Sequence, residues 1–425
     1  MHAIISPCIV HGTITPPPSK SMMQRVCAAA LLHKGKTTIT NPGISLDDEA
    51  SLQIIQQLGA TVNYEPNGSI TIISNGIKPI SGTINCGESG LSARLFTPIA
   101  SMHNASITIT GEGSLLTRPM YAFEKILPQL GVTVKTNNGC VPIVVKGPLN
   151  PCDISIDGSL SSQFVSGLLY AYAFSTTKPV TLKVNNLVSK PYIDLSLHVL
   201  RKFGINLMHD RHEKFYFESY HQHTNDRNVY IEADWSNGAV WLVAAAIAGD
   251  VTVSGVNNAS VQADIAILKA LTLAGVRFNT EGHSVHMQKA EKLQSFRFDA
   301  THCPDLIPIL SILAACSKGT SEIKGMHRLI HKESNRVESI SAMLYHLGVS
   351  FRVQDDLLLI DGVGFFEAAE IDSYNDHRIV MAAAIAALRA DGAIVIKNAG
   401  AVAKSYPNFF QDLSAIGANC ILNDE

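Results

Sequence analysis

The stretch "IIQQLGATV", residues 54–62, reads as the last turns of a helix, a glycine, and the start of a strand. Glycine after the last helical turn is a common left-handed stop, because no Cβ resists a positive φ. One such stop says little. Five more follow: "ILPQLGVTV", "VLRKFGINL", "LTLAGVRF", "MLYHLGVSF" and "LSAIGANCI". The glycines are Gly59, Gly131, Gly204, Gly275, Gly348 and Gly417, separated by 72, 73, 71, 73 and 69 residues. Spacing this regular identifies an internal repeat.

Each period also holds a helix that is apolar on nearly every side: "VCAAALL", "RLFTPIASM", "FVSGLLYAYAF", "VWLVAAAIAG", "LIPILSILAAC" and "IVMAAAIAAL". Such a helix is buried. Short β-rich runs separate the helices, among them "SITIIS", "ASITITG" and "VTVSGV". The expected fold is α/β (α+β in some schemes), built from six units with one buried helix, one amphipathic helix and several strands each. A single core stops growing near about 250–300 residues, so 425 residues imply two domains of three units. The charged, Asn-rich "HQHTNDRN" (221–228) falls between units three and four, which places the main hinge near Val229.

Hydrophobic residues make up 46% of the chain and charged ones 16%, with a net charge of −3, which fits a large folded core and excludes a basic nucleic-acid surface. No run approaches the roughly 20 apolar residues of a membrane span, and the first residues, "MHAIISPCIVHG", do not read as a signal peptide. A cytoplasmic location is expected. The eight cysteines form no C-x-x-C pair and read as buried free thiols of a reducing compartment, with a zinc site or a nucleophile as minor alternatives. The 16 histidines show no H-E-x-x-H, so no protein-bound metal and no cofactor are expected.

"TPPPSKSMMQRVCAAALL" (15–32) puts Lys20 and Arg25 at the start of a buried helix. Cations are disfavoured there by roughly 0.3–1 kcal/mol each, because the helix dipole is already positive. The anomaly recurs. Arg94 stands near the start of "SARLFTPIA", Arg118 before Pro119, Arg336 in "ESNRVES", and Arg378 after the capping residue Asp376. Lys332 precedes one of these helices, and Lys404 precedes another in "AVAKSYPNFF". Singly, each Arg reads as a surface ion pair. Together they describe a site for several phosphates or carboxylates, held by helix N-termini and guanidinium forks. Both halves contribute, so the site is expected between the domains. Asp305 and Glu333 stand among these cations, either as structural ion-pair partners or as acid/base groups. Ser161 and Ser162 read as helix caps, or, with Gln163, as phosphate or hydroxyl ligands.

At these residues the chain resembles the enolpyruvyl transferases, and within them the shikimate-phosphate branch. The resemblance runs through "SKSMMQR", "TGEGSLLTRPM", "DGSLSSQF", "VSKPYIDLSL", "CPDLIPIL", "HKESNR", "NDHRIVMA" and "AKSYPNFF", in that order. It implies a two-domain inverse α/β barrel of six βαβαββ-type units. The first domain would span 12–228, and the second 1–11 with 229–425. It also implies transfer of the enolpyruvyl group of phosphoenolpyruvate to the 5-hydroxyl of shikimate-3-phosphate by a monomer. By the same resemblance Lys20, Ser21, Arg25, Ser161, Ser162, Gln163, Ser189, Tyr192, Asp305 and Lys332 bind shikimate-3-phosphate. Lys20, Gly90, Arg94, Arg118, Gln163, Arg336, Arg378 and Lys404 surround phosphoenolpyruvate. Asp305, Glu333 and Lys20 are the catalytic candidates.

The chain departs from the family pattern in places. Its loop "CGESGLSARLF" has Glu88, Leu91 and Leu95 where Asn, Thr and Pro are usual. Ser114 stands at a position often held by Arg, and Asn335 replaces an Asp. Glu88 is expected to turn aside onto a nearby cation such as Arg94. Two rival readings remain: a UDP-N-acetylglucosamine enolpyruvyl transferase, which "TGEGSLLTRP" disfavours for want of a cysteine, and an inactive anion-binding relative.

Overall fold

The structure is a computed structural model that describes residues 1–221 and 224–423. Gln222 and His223, inside the stretch singled out as a hinge, lie outside the described residues, as do Asp424 and Glu425. The chain folds as two compact units, Pro18–Glu232 and Met1–Pro17 with Ala233–Glu425. These bounds differ from 12 and 228 because strands are kept whole. Val10–Ile14 pairs in parallel with Gly249–Ser254, in register Gly12↔Val251. Arg227–Tyr230 pairs in parallel with Gly35–Thr40, in register Val229↔Ile39, so Val229 itself lies mid-ladder, and the chain passes from one unit to the other after Glu232.

Among the described residues there are twelve α-helices: α1 (Lys20–Leu32), α2 (Leu46–Gln57), α3 (Gly90–Ala100), α4 (Ala122–Ile126), α5 (Ser162–Ser175), α6 (Lys190–Lys202), α7 (Trp235–Ala248), α8 (Ile267–Leu273), α9 (Ile307–Ala315), α10 (Arg336–His346), α11 (His377–Ala387) and α12 (Phe409–Ala415). The strands form six four-stranded sheets, three in each unit. One repeat shows the plan. Thr83–Asn85 leads through α3 to Ser106–Thr110, and the two strands pair in parallel at Ile84↔Ile109. A parallel pair needs a crossover, and the buried helix supplies it. The chain then passes α4 and adds the hairpin Thr133–Asn137 and Cys140–Lys146, whose second strand returns antiparallel beside Ser106–Thr110. His2–Ile5 completes the last repeat, between Ile394–Lys397 and Cys420–Asn423.

The odd-numbered helices are the apolar ones. Within one unit α1, α3 and α5 pack together, and within the other α7, α9 and α11 do. Every residue of α7 and α9 is buried. Each unit therefore has helices at its centre and sheets around them. The even-numbered helices, with a 3₁₀ extension at Leu127–Leu130 after α4, end at the six glycines, whose φ angles run from 72° to 105°. Each glycine is followed by a backbone bond spanning five residues, such as Ala60 N to Ile55 O (2.9 Å) and Val349 N to Leu344 O (3.0 Å). That is the Schellman closure, and only a positive φ at the glycine allows it. Of the eight cysteines, all free, Cys27, Cys86, Cys303 and Cys316 are buried. No helix among the described residues is long and apolar enough to cross a membrane.

Candidate active site

In the unit 18–232, Ser19 immediately precedes α1 and Lys20 is the helix's first residue. Lys20 Nζ lies 2.9 Å from Asp47 Oδ2. Asp47 stands in the first turn of α2, where negative charge is favoured. The cation at one helix start is thus offset by an acid at another. The next residue, Asp48, closes a capping box with Ser45, donating its amide and accepting from Ser45 N (3.1 Å). Burial pushes its carboxyl up to about 7, against the Ser45 hydrogen bonds and Lys20.

Arg25 is fully buried. Its guanidinium donates to Ser196 Oγ (2.8 Å), Ser21 O (2.8 Å) and Tyr192 O (3.3 Å). It therefore ties α1 to α6 and fixes two of the residues assigned to shikimate-3-phosphate. Ser161 caps α5 by accepting from Gln163 N (3.3 Å), and Ser162 and Ser189 are buried. Ser189 precedes α6 with φ 53° and ψ 46°, and its hydroxyl makes no capping bond. A non-glycine residue in that region is strained by about 1 kcal/mol or more, which points to a constraint other than helix initiation.

The start of α3 gathers two guanidiniums. Arg94 donates to Gln163 Oε1 (2.8 Å) and Pro119 O (3.2 Å), and its guanidinium carbon lies 5.2 Å from the centre of the Phe164 ring. Arg118 donates to Ser114 Oγ at 3.1 Å. A Cβ added at Gly90 would stand 2.7 Å from Arg118 Nη1 and 3.1 Å from Arg94 Nη1. A side chain at 90 would therefore displace the ends of these two guanidiniums. Glu88 Oε2 accepts from the backbone amide of Ser114 at 3.0 Å.

Arg118 does not precede a helical Pro119, as the sequence suggested. It closes the 3₁₀ turn Gly113–Thr117, and α4 begins only at Ala122. Pro119 gives its carbonyl to Arg94, and Met120 N donates to Gly139 O (2.6 Å), so this segment is committed to other partners. Lys404 likewise ends a 3₁₀ turn, Ala399–Lys404, rather than starting α12, and donates to Asn375 O (2.8 Å).

In the other unit the charges converge on Asp305. Its Oδ1 lies 3.0 Å from Lys332 Nζ and 2.8 Å from Arg336 Nη1, and its Oδ2 lies 3.5 Å from Arg378 Nη2. Burial alone would raise this carboxyl, but Lys332, Arg378 and Arg336 together hold it well below the usual carboxylate range. Burial lowers the Lys332 ammonium. Glu333 Oε2 accepts from Arg336 Nη2 at 2.6 Å. Arg336 is the first residue of α10 and Arg378 the second of α11, so both keep the helix-start geometry read from the sequence. Asp376, the cap of α11, accepts from Arg378 N (2.9 Å) and from Arg336 Nε (2.7 Å).

Three residues of these clusters went unread in the sequence. Asp47 looks only like a complement to a helix dipole. Asp376 looks only like a cap. Asp264 carried no signal; it is buried, accepts from the Ser236 hydroxyl, and is pushed up to about 7 by burial and then by Asp305.

The model of the EPSP synthase family (3-phosphoshikimate 1-carboxyvinyltransferase) matches residues 6–413. A 3-phosphoshikimate 1-carboxyvinyltransferase of Methanocorpusculum labreanum is 34% identical over 422 residues, covering 99% of each chain. One of Clostridium novyi is 33% identical over 422 residues, covering 97% of each. A solved EPSP synthase from Acinetobacter baumannii is similar with a TM-score of 0.82 at 26% identity, covering 99% of this chain and 100% of that one. These names favour neither the UDP-N-acetylglucosamine branch nor an inactive relative. With 408 matched positions (6–413) and relatives above 30% identity over nearly the whole chain, the protein belongs to the EPSP synthase family.

Proposed function

We propose that this chain transfers the enolpyruvyl group of phosphoenolpyruvate to the 5-hydroxyl of shikimate-3-phosphate and releases phosphate, with the residues of both units serving one reaction. The observation that carries the reading is Asp305, a carboxylate held ionised among Lys332, Arg336 and Arg378. Lys332, Arg336 and Arg378 can also be shared with incoming anions, and both substrates bring a phosphate and a carboxylate.

Chemistry proceeds by addition, then elimination. The 5-hydroxyl attacks C2 of phosphoenolpyruvate and gives its proton to Asp305, which later passes it to the released phosphate or to solvent, while Glu333, entering in its acid form, protonates the methylene carbon. Substrate anions draw on Arg336 and Arg378, which loosens the hold on Asp305 and raises its basicity. The tetrahedral adduct then breaks its bond to phosphate and returns a methyl proton to Glu333. Lys20 compensates the charge on the departing phosphate. Ser161, Ser162 and Ser189 take the shikimate phosphate, with Ser21, Arg25, Gln163, Tyr192 and Lys332 around the ring. Lys20, Gly90, Arg94, Arg118, Gln163, Arg336, Arg378 and Lys404 take phosphoenolpyruvate. All these groups come from one chain, in keeping with a monomer, and a cytoplasmic location is proposed with it.

The test is phosphate release from both substrates, with the product identified by NMR. Glu333→Gln and Asp305→Asn should each lower turnover by about 10²-fold or more, with shikimate-3-phosphate binding kept within a few-fold. No release from the unmodified protein, or turnover within about tenfold of it in both variants, would overturn the assignment.

A further inference from the structure

Glu88 and Ser114 are both departures from the family pattern, and the structure joins them. Glu88 Oε2 accepts from Ser114 N at 3.0 Å, and Ser114 Oγ accepts from Arg118 Nη2 at 3.1 Å. Around this pair the loops at 85–90 and 111–118 are stitched together. Glu112 N donates to Gly87 O (2.8 Å), Asn85 Nδ2 donates to Glu112 Oε1 (2.8 Å), and Asn85 Oδ1 takes Gly87 N (2.9 Å). Gly113 has φ 49°, and a Cβ there would stand 2.5 Å from the Glu88 carboxylate. The glycine leaves the room in which that carboxylate meets the N–H of Ser114, the second residue of the 3₁₀ turn.

We infer that Glu88 and Ser114 are positioning residues for Arg118, Glu88 fixing the turn that carries Ser114 and Ser114 holding the guanidinium at the start of α3. The inference rests on the transferase reading above, in which Arg118 binds phosphoenolpyruvate. A carboxylate near an anion site is a liability by charge alone, since like charges repel. Its retention is accounted for by its role as an acceptor. The two effects separate by substitution. Glu88→Gln keeps an acceptor oxygen and removes the charge. Glu88→Ala removes both. Ser114→Ala keeps the N–H that Glu88 uses and removes the oxygen that Arg118 uses.

The experiment is steady-state kinetics on the full-length chain, varying each substrate in turn, with thermal unfolding as a check on folding. Glu88→Ala and Ser114→Ala should raise KM for phosphoenolpyruvate about threefold to tenfold, the loss of one charge-assisted hydrogen bond. KM for shikimate-3-phosphate should change by less than about twofold, because that pull on Arg118 is absent from the serines that bind it. Glu88→Gln should leave KM for phosphoenolpyruvate at or below the unmodified value. The double variant Glu88→Ala/Ser114→Ala should lose less than the product of the single effects. If Glu88→Ala does not fold, Ser114→Ala decides. Unchanged constants in the alanine variants, an equal loss for both substrates, or a Gln variant as impaired as the Ala one would each overturn the inference. Failure of the unmodified protein to release phosphate would overturn the transferase reading, and this inference with it; release with unchanged constants overturns the inference alone.

Discussion

Arg336 and Asp376 are joined by two charge-assisted hydrogen bonds, Nε to Oδ2 at 2.7 Å and Nη2 to Oδ1 at 3.2 Å, with both side chains out of solvent. The same carboxylate caps α11 through Arg378 N and accepts from the Ser334 hydroxyl at 3.1 Å. One acid thus sets the orientation of two arginines at two helix starts. Breaking a buried pair from one side leaves the other charge uncompensated, at about 3–5 kcal/mol. Asp376→Ala should cost stability in that range, and Asp376→Asn less, because the amide oxygen still accepts. Urea unfolding of both variants measures this. A loss under about 1 kcal/mol for Asp376→Ala would show that Asp305 and Glu333 suffice to hold Arg336.

Lys20 and Asp47 make a second such pair, at 2.9 Å, between the starts of α1 and α2. If Asp47 aims Lys20 at the departing phosphate, Asp47→Asn should act mainly on turnover. We expect kcat to fall about tenfold, less than the roughly 10²–10⁴-fold of a positioned acid/base group because Lys20 itself remains, while KM for each substrate moves less. An unchanged kcat with raised KM values would mean that Lys20 needs no such aiming.

The repeat was legible because it rests on local chemistry written six times. A glycine with φ between 72° and 105° and a bond closing five residues back need nothing outside their own helix end. The buried helices were legible from their all-round apolar surface. Arg336 and Arg378 were legible as helix-start cations for the same local reason. What was not legible depends on partners distant in the chain. Asp47 meets Lys20 across 27 residues, and Asp264 feels Asp305 across 41. Pro119 looked like a helix start, yet its carbonyl is taken by Arg94, 25 residues earlier. The bounds at 12 and 228 each fall inside a strand whose ladder partner lies in another repeat, a pairing that local sequence does not show.

Asp48 gives a pH dependence of stability. Its carboxyl is raised from 3.8 to about 7, chiefly by burial, so the folded chain binds this proton more tightly than the unfolded chain. The stabilisation is complete below about pH 4. It declines as pH rises toward 7, with a slope of about 1.4 kcal/mol per pH unit at most, and levels off above. Asp48→Asn keeps an oxygen for the Ser45 donors and cannot ionise. It should remove that slope and be more stable than the unmodified protein at pH 8. Unfolding free energies at pH 5, 6, 7 and 8 test this. Parallel pH curves for the two proteins would show that Asp48 does not carry the proton.

Leu91 is the second residue of α3 and is buried beside Gly90, where Arg94 and Arg118 converge. Glu88, another departure in this loop, accepts from Ser114 N. Of the two, Leu91 therefore carries the steric consequence: it adds bulk and removes a hydroxyl next to the place assigned to phosphoenolpyruvate. That substrate is small. Glyphosate is longer and should meet the added bulk. The natural protein should then be inhibited less than the double variant Glu88→Asn/Leu91→Thr, and Leu91→Thr alone should account for most of the difference. Inhibition constants at one fixed shikimate-3-phosphate concentration decide the matter. If Leu91→Thr is no more sensitive than the natural protein, the start of α3 does not govern access of the longer ligand.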